Sequence, residues 1–353
     1  MIKKLEIPIN VGMQGIIKAT ETDVRTGKKK VRIIQNTLLD DFMDAFFTCG
    51  SGLADVSNTD NVNVINKCFI GDSDISPSQE QLGIQGNILA ETDSGVVTKD
   101  IVISNGTISC AKKFTFPAGV GTGTVKEVVL ESAPRKSPYY ISYLIRKKNV
   151  ARQIFSTPIE KNEYIQIDIE WELRINIGNS IWTGTLENGQ RDGTPVTWTA
   201  TINHEQWGNI IMNKIRSPRG YSFYNYGAAF CPFFMLNSNY GDPFITTGDS
   251  NAQSDIINDG GMDIKGNEIE TFQITINYID YVAQSRERQF QIYFNTTETN
   301  YPIYEILLSS MNPSDAYTDD LGLMRITFNP ALDKVNTHRL YITPTFKITT
   351  GGA

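Results

Sequence analysis

Apolar and polar residues alternate along most of this chain, which is the period of a β-strand with one buried face and one solvated face. Clusters of Gly, Asn, Asp, Ser and Pro separate the alternating segments. The pattern predicts antiparallel sheets that each cover a core from one side. The apolar positions are Leu5, Ile7, Ile9 and Val11; Ile165, Ile167, Ile169, Trp171, Leu173, Ile175 and Ile177; Phe272, Ile274, Ile276 and Tyr278; Phe290, Ile292 and Phe294; and Leu340, Ile342, Phe346 and Ile348.

One segment departs from this alternation. Over residues 37–47 the apolar side chains recur at three- and four-residue steps, which is the spacing of a helix with one apolar stripe. Thr37 can cap such a helix, and Asp40 and Asp41 would lie in its positive first turn. Residues 201–212 have a similar spacing, although a glycine within them makes a poorer helix. The sequence therefore predicts a short amphipathic helix at 37–47 and a weaker counterpart at 201–212.

The second half of the chain repeats the order of residue types found in the first half. A block that begins near Arg152 recurs 173 residues later. Residues 126–132 match 304–310 at a spacing of 178, and residues 36–43 match 200–207 at a spacing of 164. The spacing changes only between blocks, as expected when insertions fall in surface loops. Identical residues at the spacing of 173 are Arg152 and Arg325, Phe155 and Phe328, Lys161 and Lys334, Ile169 and Ile342, and Ile175 and Ile348.

Chance alignment of two β-rich stretches is the competing explanation for this repeat. Against it, the blocks occur in the same order, include a helix-like block, and fill the chain without overlap. A duplication sets the fold and the number of domains. We therefore predict a mainly β protein of two tandem β-sandwich-like domains, each with one short amphipathic helix. The first would span residues 1–178 with its helix at 37–47, and the second 179–353 with larger loops at 221–266.

Composition narrows the classes of function. The 353 residues include 32 Lys and Arg against 39 Asp and Glu, a net charge of −7, which argues against a nucleic-acid binder with a basic surface. No stretch approaches the ~18 consecutive apolar residues of a membrane helix, so we expect no membrane insertion. The four cysteines, Cys49, Cys68, Cys110 and Cys231, have no paired CxxC spacing. They indicate free buried thiols in a protein made in a reducing cytoplasm.

Motifs for catalysis or cofactor binding are not evident. The chain has two histidines, His204 and His338, each without an identified orienting partner. No nucleotide loop, serine elbow or zinc spacing is present. The glycines of 119–123 indicate a hairpin loop, and the acidic stretch 255–263 indicates a solvated loop rather than a calcium site. We therefore expect no catalytic residue, no metal and no cofactor, and the protein is predicted not to be an enzyme.

An aromatic stretch in the second half is the candidate contact surface. Tyr221, Phe223, Tyr224 and Tyr226 precede a further aromatic group at 230–234. Aromatic side chains with polar tips serve cores, protein interfaces and sugar binding alike. Core packing or a subunit interface ranks first for this stretch, and contact with a glycan ranks second.

Several blocks of the sequence resemble the small β domains of tailed-bacteriophage tail and tail-fibre proteins. The first runs from Gly27 through Lys-Lys-Lys-Val-Arg-Ile-Ile-Gln-Asn-Thr to Leu39. The next is Cys68-Phe-Ile-Gly followed by Ser-Pro-Ser at 76–78, and then Val125–Leu130. The last is the stretch from Arg152 to Lys161 before a long strand. The resemblance covers about half of the chain, and the second copy keeps only the last two blocks well.

The resemblance implies a structural protein of the virion, in a tail, collar, baseplate or fibre attachment. Such a protein would be made in the host cytoplasm and would enter the tail as a symmetric homo-oligomer that binds other virion tail proteins. It carries over no catalytic residue. A receptor-binding fibre that contacts a host-surface glycan through residues 221–226 is the alternative. A polysaccharide depolymerase is a third reading, and it would need two carboxylates at a set separation in a groove.

Overall fold

The structure is a computed structural model of the chain. The residues that it describes are 2–41, 67–104, 107–132, 148–176, 181–202, 244–248, 268–273, 276–278, 282, 284–297, 300–309 and 322–350.

The protein is mainly β, as the alternation predicts. Within the described residues the strands are β1 (Ile2–Asp23), β2 (Lys29–Leu38), β3 (Lys67–Gly71), β4 (Ile88–Thr92), β5 (Val96–Ser104), β6 (Thr107–Phe116), β7 (Gly123–Ser132), β8 (Lys148–Lys161), β9 (Ile165–Asn176), β10 (Ile181–Leu186), β11 (Val196–Ile202), β12 (Phe244–Gly248), β13 (Glu268–Gln273), β14 (Ile276–Tyr278), β15 (Glu287–Phe294), β16 (Pro302–Ser309), β17 (Gly322–Asp333) and β18 (Arg339–Thr350).

Two sheets contain all of these strands. The larger has twelve strands, with the path β14-β15-β18-β1-β2-β8-β7-β3-β4 and with β5, β6 and β9 branching from β1. The smaller has six strands in the order β10-β11-β17-β16-β12-β13. Most neighbouring strands run antiparallel, and the buried apolar side chains of both sheets form one core cluster. Alternate residues of the long strands supply this core, because successive side chains of a strand point to opposite faces.

Strands β1–β9 and strands β10–β18 pair in corresponding order. We call them the N-terminal set and the C-terminal set. Seven pairings of the first set have an equivalent in the second within the described residues. They are β1-β2 and β10-β11, β2-β8 and β11-β17, β8-β7 and β17-β16, β7-β3 and β16-β12, β3-β4 and β12-β13, β5-β6 and β14-β15, and β6-β9 and β15-β18.

The residue register also corresponds, at the same three spacings that the sequence repeat has. Thr37 lies opposite Arg152 as Thr201 lies opposite Arg325. A shift in register falls at Ile70/Gly71 in the β3–β4 pair and at Thr247/Gly248 in the β12–β13 pair. The other equivalent pairs are Val129↔Arg152 and Leu307↔Arg325, and Phe114↔Ile169 and Ile292↔Ile342.

β1 is the exception to this correspondence, because it pairs with both sets. Its second half runs antiparallel to β9, from Gly12 opposite Asn176 to Asp23 opposite Ile165. Its first half runs parallel to β18, from Ile2 opposite Arg339 to Met13 opposite Thr350. The alternation predicted for this strand is confirmed, because Leu5, Ile7, Ile9 and Val11 are all buried.

The start predicted for each helix is wrong. Thr37 and Leu38 are the last residues of β2 and pair with β8, so Thr37 does not cap a helix. Thr201 and Ile202 likewise end β11 and pair with β17. At both places the strand pairing continues through the threonine and the residue after it, so the chain is still extended where the helix was predicted to begin. Asp40 and Asp41 begin a helical turn, and the rest of 37–47 and of 201–212 lies outside the described residues.

Candidate functional site

A buried ion pair joins β7 to β8 in the N-terminal set. Glu127 on β7 and Arg152 on β8 are both fully buried. The Nε atom of Arg152 donates a hydrogen bond to Oε2 of Glu127 at 2.9 Å. These charges lie on neighbouring antiparallel strands, where side chains on one face are close enough to pair directly.

The loop between β3 and β4 is anchored to this ion pair. The backbone N–H groups of Gln85 and Gly86 donate to the two carboxylate oxygens of Glu127, at 3.2 and 2.8 Å. Nη1 of Arg152 donates to the backbone oxygen of Ile75 and to Oε1 of Gln81, at 2.8 and 2.9 Å. The charged pair therefore fixes both ends of the loop, and hydrogen bonds to buried charges are the stronger kind.

The C-terminal set has the same ion pair at the equivalent place. Nε of Arg325 on β17 donates to Oε2 of Glu305 on β16 at 2.7 Å, and both residues are buried. Leu307 lies opposite Arg325 in the β16–β17 register, as Val129 lies opposite Arg152 in the β7–β8 register. Buried charges are costly unless they are paired, so the same pair at both places is a specific structural feature.

A buried lysine follows each arginine: Lys161 is the last residue of β8, and Lys334 comes directly after β17. Nζ of Lys161 donates to the backbone oxygens of Pro117 and Ile165, both at 2.7 Å, and desolvation lowers the pKa of this amine. Nζ of Lys334 donates to the backbone oxygen of Asn295. The two lysines lie 173 residues apart, and Pro117 and Asn295 lie 178 apart, so the contact is equivalent in both sets.

These buried groups hold strands and loops together and do not form an accessible reaction centre. Each carboxylate is paired with an arginine. The four side chains of the two pairs are at most 1% exposed. Gly71 lies opposite Glu127, and a Cβ added at Gly71 would lie 2.8 Å from the carboxylate. The geometry therefore suits a rigid architectural unit.

One polar contact links the two sets through their loops. Nη2 of Arg286, which precedes β15, donates to Oδ1 of Asp40 at 2.5 Å and also to Oε1 of Gln79. The backbone of Asp40 in turn donates to the carbonyl of Gln79 at 2.8 Å. Arg286 thereby joins the C-terminal set to the end of β2 and to the β3–β4 loop.

A shallow, open hollow lies between two turns of the C-terminal set. The turns at 188–193 and 335–338 line its volume of about 470 Å³, and Arg191 and His338 are among its residues. His338 lies in the turn before β18, as predicted, and its Nδ1 is 3.1 Å from Oγ1 of Thr337. Among the described residues no group of three His, Cys, Asp or Glu side chains is placed to hold a metal ion.

Two apolar side chains of β2 are exposed. The side chains of Val31 and Ile33 are 50% and 71% exposed. Over residues 29–36 β2 pairs with β1, and its first pair with β8 is at Thr37. Gly27, with φ of 69°, closes the β1–β2 hairpin beside the lysines of 28–30.

The glycine-rich stretch 119–123 is a connection and not a hairpin. It joins β6, which pairs with β5 and β9, to β7, which pairs with β3 and β8. Gly119, Gly121 and Gly123 have φ of 81°, 67° and 137°, a region that favours glycine. A Cβ at Gly121 would also lie 2.5 Å from Cβ of Ala90. Positive φ therefore explains all three glycines, and the close contact with Ala90 is a second reason at Gly121.

The free, buried state predicted for the cysteines is confirmed for Cys68 and Cys110. Burial raises the pKa of the Cys110 thiol to about 12 and raises that of Cys68 as well. Cys49 and Cys231 lie outside the described residues.

The aromatic contact surface of the sequence prediction also lies outside the described residues. This holds for Tyr221, Phe223, Tyr224 and Tyr226, for His204, and for the acidic stretch 255–263. Their proposed roles stay predictions. By contrast, sequence reasoning gave no role to the two Arg–Glu pairs. The signal was available, because the same charged residue recurs at equivalent positions of the two halves, Glu127 with Glu305 and Arg152 with Arg325.

Comparison with protein families, with curated proteins and with solved structures found no match for this chain. No helix in the part of the chain that the structure describes has the length and apolar character to cross a membrane.

Proposed function

We propose that this protein is a structural component of a bacteriophage tail that acts through protein–protein assembly. The observation that carries the proposal is the correspondence of the two sets of nine strands, with equivalent ion pairs in both. A part built from two related units offers neighbouring proteins two similar surfaces at different positions. The sequence blocks that resemble tail and tail-fibre domains supply the biological context.

The two sets are, in this proposal, tandem β-sandwich-like domains that arose by duplication. The seven recurring pairings, the shared register shift and the paired lysine contacts support a common origin. Two unrelated β-rich halves would not be expected to share the buried charges, because a buried charge is costly at an arbitrary strand position. The proposed boundary near residue 178 then has one exception, since residues 2–13 pair with β18 of the second domain.

The proposed partners are other tail proteins and further copies of the same chain, and the proposed location is the virion tail. The role needs no catalytic centre, because it consists of binding neighbouring proteins through surfaces that rigid cores hold in place. The exposed apolar side chains of β2 are suited to burial against such a partner, since aliphatic side chains at an interface are stabilised by leaving water.

Incorporation into particles tests this role. Purified virions of the phage that encodes the chain should contain it in a fixed number of copies per particle, measured by quantitative mass spectrometry. The purified chain should also form a defined oligomer or bind tail proteins, measured by light scattering. A stable monomer that never enters particles would contradict the proposal.

A further inference from the structure

The first half of β1 completes the sheet of the C-terminal set. In the N-terminal set, β9 has β6 on one edge and the second half of β1 on the other. In the C-terminal set, β18 has β15 on the equivalent edge and the first half of β1 on the other. β10, the counterpart of β1 by its pairing with β11, is not paired with β18 among the described residues. The C-terminal set thus takes a strand from the far end of the sequence.

This strand is held by a long register and by its apolar face. Twelve consecutive residues, from Ile2 opposite Arg339 to Met13 opposite Thr350, pair with β18. The pairing is parallel, unlike the other described pairings in both sheets. Leu5, Ile7, Ile9, Val11 and Met13 are each at most 3% exposed, whereas Lys4, Glu6, Pro8 and Asn10 face the solvent. The β18 edge is therefore a groove for an extended segment with alternating apolar residues.

A glycine marks the point where β1 changes partners. Gly12 pairs with Thr349 of β18 and with Asn176 of β9. Three residues later, Gly15 pairs with Asn36 of β2 and with Leu173 of β9. Glycine loses the most conformational freedom on ordering and is the residue best able to adopt another backbone conformation, so this segment is suited to act as a hinge.

We propose that in the assembled protein the β18 groove is occupied by residues 2–11 of a second copy of this chain, exchanged reciprocally about a hinge at Gly12–Gly15. The occupant is fixed by complementarity, because every copy carries the segment that fits the groove. All contacts of residues 2–11 are the same whether the strand comes from its own chain or from another, so exchange alters only the hinge. The high local concentration of this chain in a tail favours the exchanged form, because the first half of β1 from a neighbouring copy is then close to the β18 groove.

Two variants, each with one added cysteine in a chain whose four native cysteines are replaced by alanine, test this exchange. Asn10 and Lys347 are register partners, and both side chains are exposed. Full-length Asn10→Cys and Lys347→Cys chains, one of them labelled with ¹⁵N, are unfolded together, refolded at high concentration and oxidised. Mass spectrometry should then find a disulfide-linked heterodimer of intermediate mass, since adjacent strands bring Cα atoms within the range that a disulfide spans.

Two controls make the result decisive. The Asn10→Cys/Lys347→Cys double variant should form the same disulfide, which shows that the register is correct. Asn10→Cys mixed with Leu82→Cys, a variant at an exposed loop position of the N-terminal set, should give no heterodimer. The proposal is overturned if the double variant forms no disulfide, if it forms only an internal one while the mixed singles stay monomeric, or if the Leu82 mixture cross-links equally well.

The inference takes its assembled state from the proposed tail role, but its test needs only the purified chain. A chain that exchanges strands yet never enters particles would contradict the tail role and leave the exchange standing. A chain that enters particles without exchanging strands would contradict the exchange and leave the tail role standing.

Discussion

At the scale of single residues, a buried Arg–Glu pair recurs in the two halves of the chain. Each joins two neighbouring strands of one set, and each lies at the position that the sequence repeat predicts for its counterpart. Such pairs contribute less net stability than their distances suggest, because burial removes the solvation of both charges. Loss of one partner lowers the stability strongly, since the remaining charge stays buried without an opposite charge beside it.

Replacement of Arg325 by methionine should therefore lower the free energy of unfolding by about 3–5 kcal/mol. The double variant Glu305→Met/Arg325→Met should recover much of that loss, because it removes both charges. Urea denaturation monitored by tryptophan fluorescence measures these differences. Lys347→Met is the control, since it breaks an exposed ion pair with Glu287 and should cost less than about 1 kcal/mol. Equal losses for Arg325→Met and Lys347→Met would contradict this account.

Two glycines of β1 provide a second test at this scale. A Cβ added at Gly15 would lie 1.9 Å from Oδ1 of Asn36 and 2.9 Å from Nε1 of Trp171, both buried. At Gly12 the nearest atom would be the backbone oxygen of Asn176 at 3.4 Å. Gly15→Ala should destabilise the protein by roughly 1–3 kcal/mol, because the core must shift to admit the methyl group.

Gly12→Ala is the matched control for Gly15→Ala, and it should have little effect or stabilise slightly, because alanine restricts the unfolded chain. Thermal unfolding followed by circular dichroism compares the two variants. The packing described for Gly15 is contradicted if Gly15→Ala melts at the same temperature as the native protein, or if Gly12→Ala is the more damaging change.

At the scale of elements, strand periodicity predicted much of the fold but not its partners. The alternation of Leu5, Ile7, Ile9 and Val11 identified a strand and its buried face. It contained no information on register with β18, more than 300 positions away, because period-2 patterns fit any strand edge equally well. The sequence repeat did carry long-range information, since its spacings are those of the paired strands.

The helix at 37–47 shows why a local pattern misplaces an element boundary. Thr37 has the chemistry of a helix cap, and acidic residues follow it. In the fold, Thr37 and Leu38 instead extend β2 to reach β8. Thr201 and Ile202 do the same with β17. Tertiary pairing overrides the local preference at both places, and the arginine that each threonine faces is remote in sequence.

β1 also supports a prediction at the scale of elements. Ile7 is fully buried and lies opposite Pro344 of β18. Ile7→Asp would place an unpaired carboxylate in the core, which is costly. Hydrogen exchange should then become at least tenfold faster in β18, a change that corresponds to ~1.4 kcal/mol of local stability. β9 should keep its protection, because the second half of β1 still covers it.

Asn10→Asp is the matched control for Ile7→Asp, because it adds the same charge to an exposed position of the same strand. Hydrogen-exchange mass spectrometry of both variants should show protection of β18 kept in Asn10→Asp. Uniform loss of protection in β9 and β18 with Ile7→Asp would contradict a separate role for the first half of β1.

At the scale of the whole molecule, the two sets are connected at separate places. β1 pairs with both β9 and β18, and as a 22-residue strand it can extend over about 70 Å. Arg286 adds a polar contact to Asp40 and Gln79. Both links join the two sets within one chain, and exchange of the first half of β1 would turn the β1–β18 link into a link between chains.

The proposed role is that of a repeated structural part of a phage tail. An electron cryo-microscopy map of purified particles from the phage that encodes the chain tests this role. The map should contain density for a pair of β units repeated symmetrically in the tail, with a connecting strand at each β18 edge. Particles whose tails are fully accounted for by other proteins, with this chain found only in the infected-cell lysate, would contradict it.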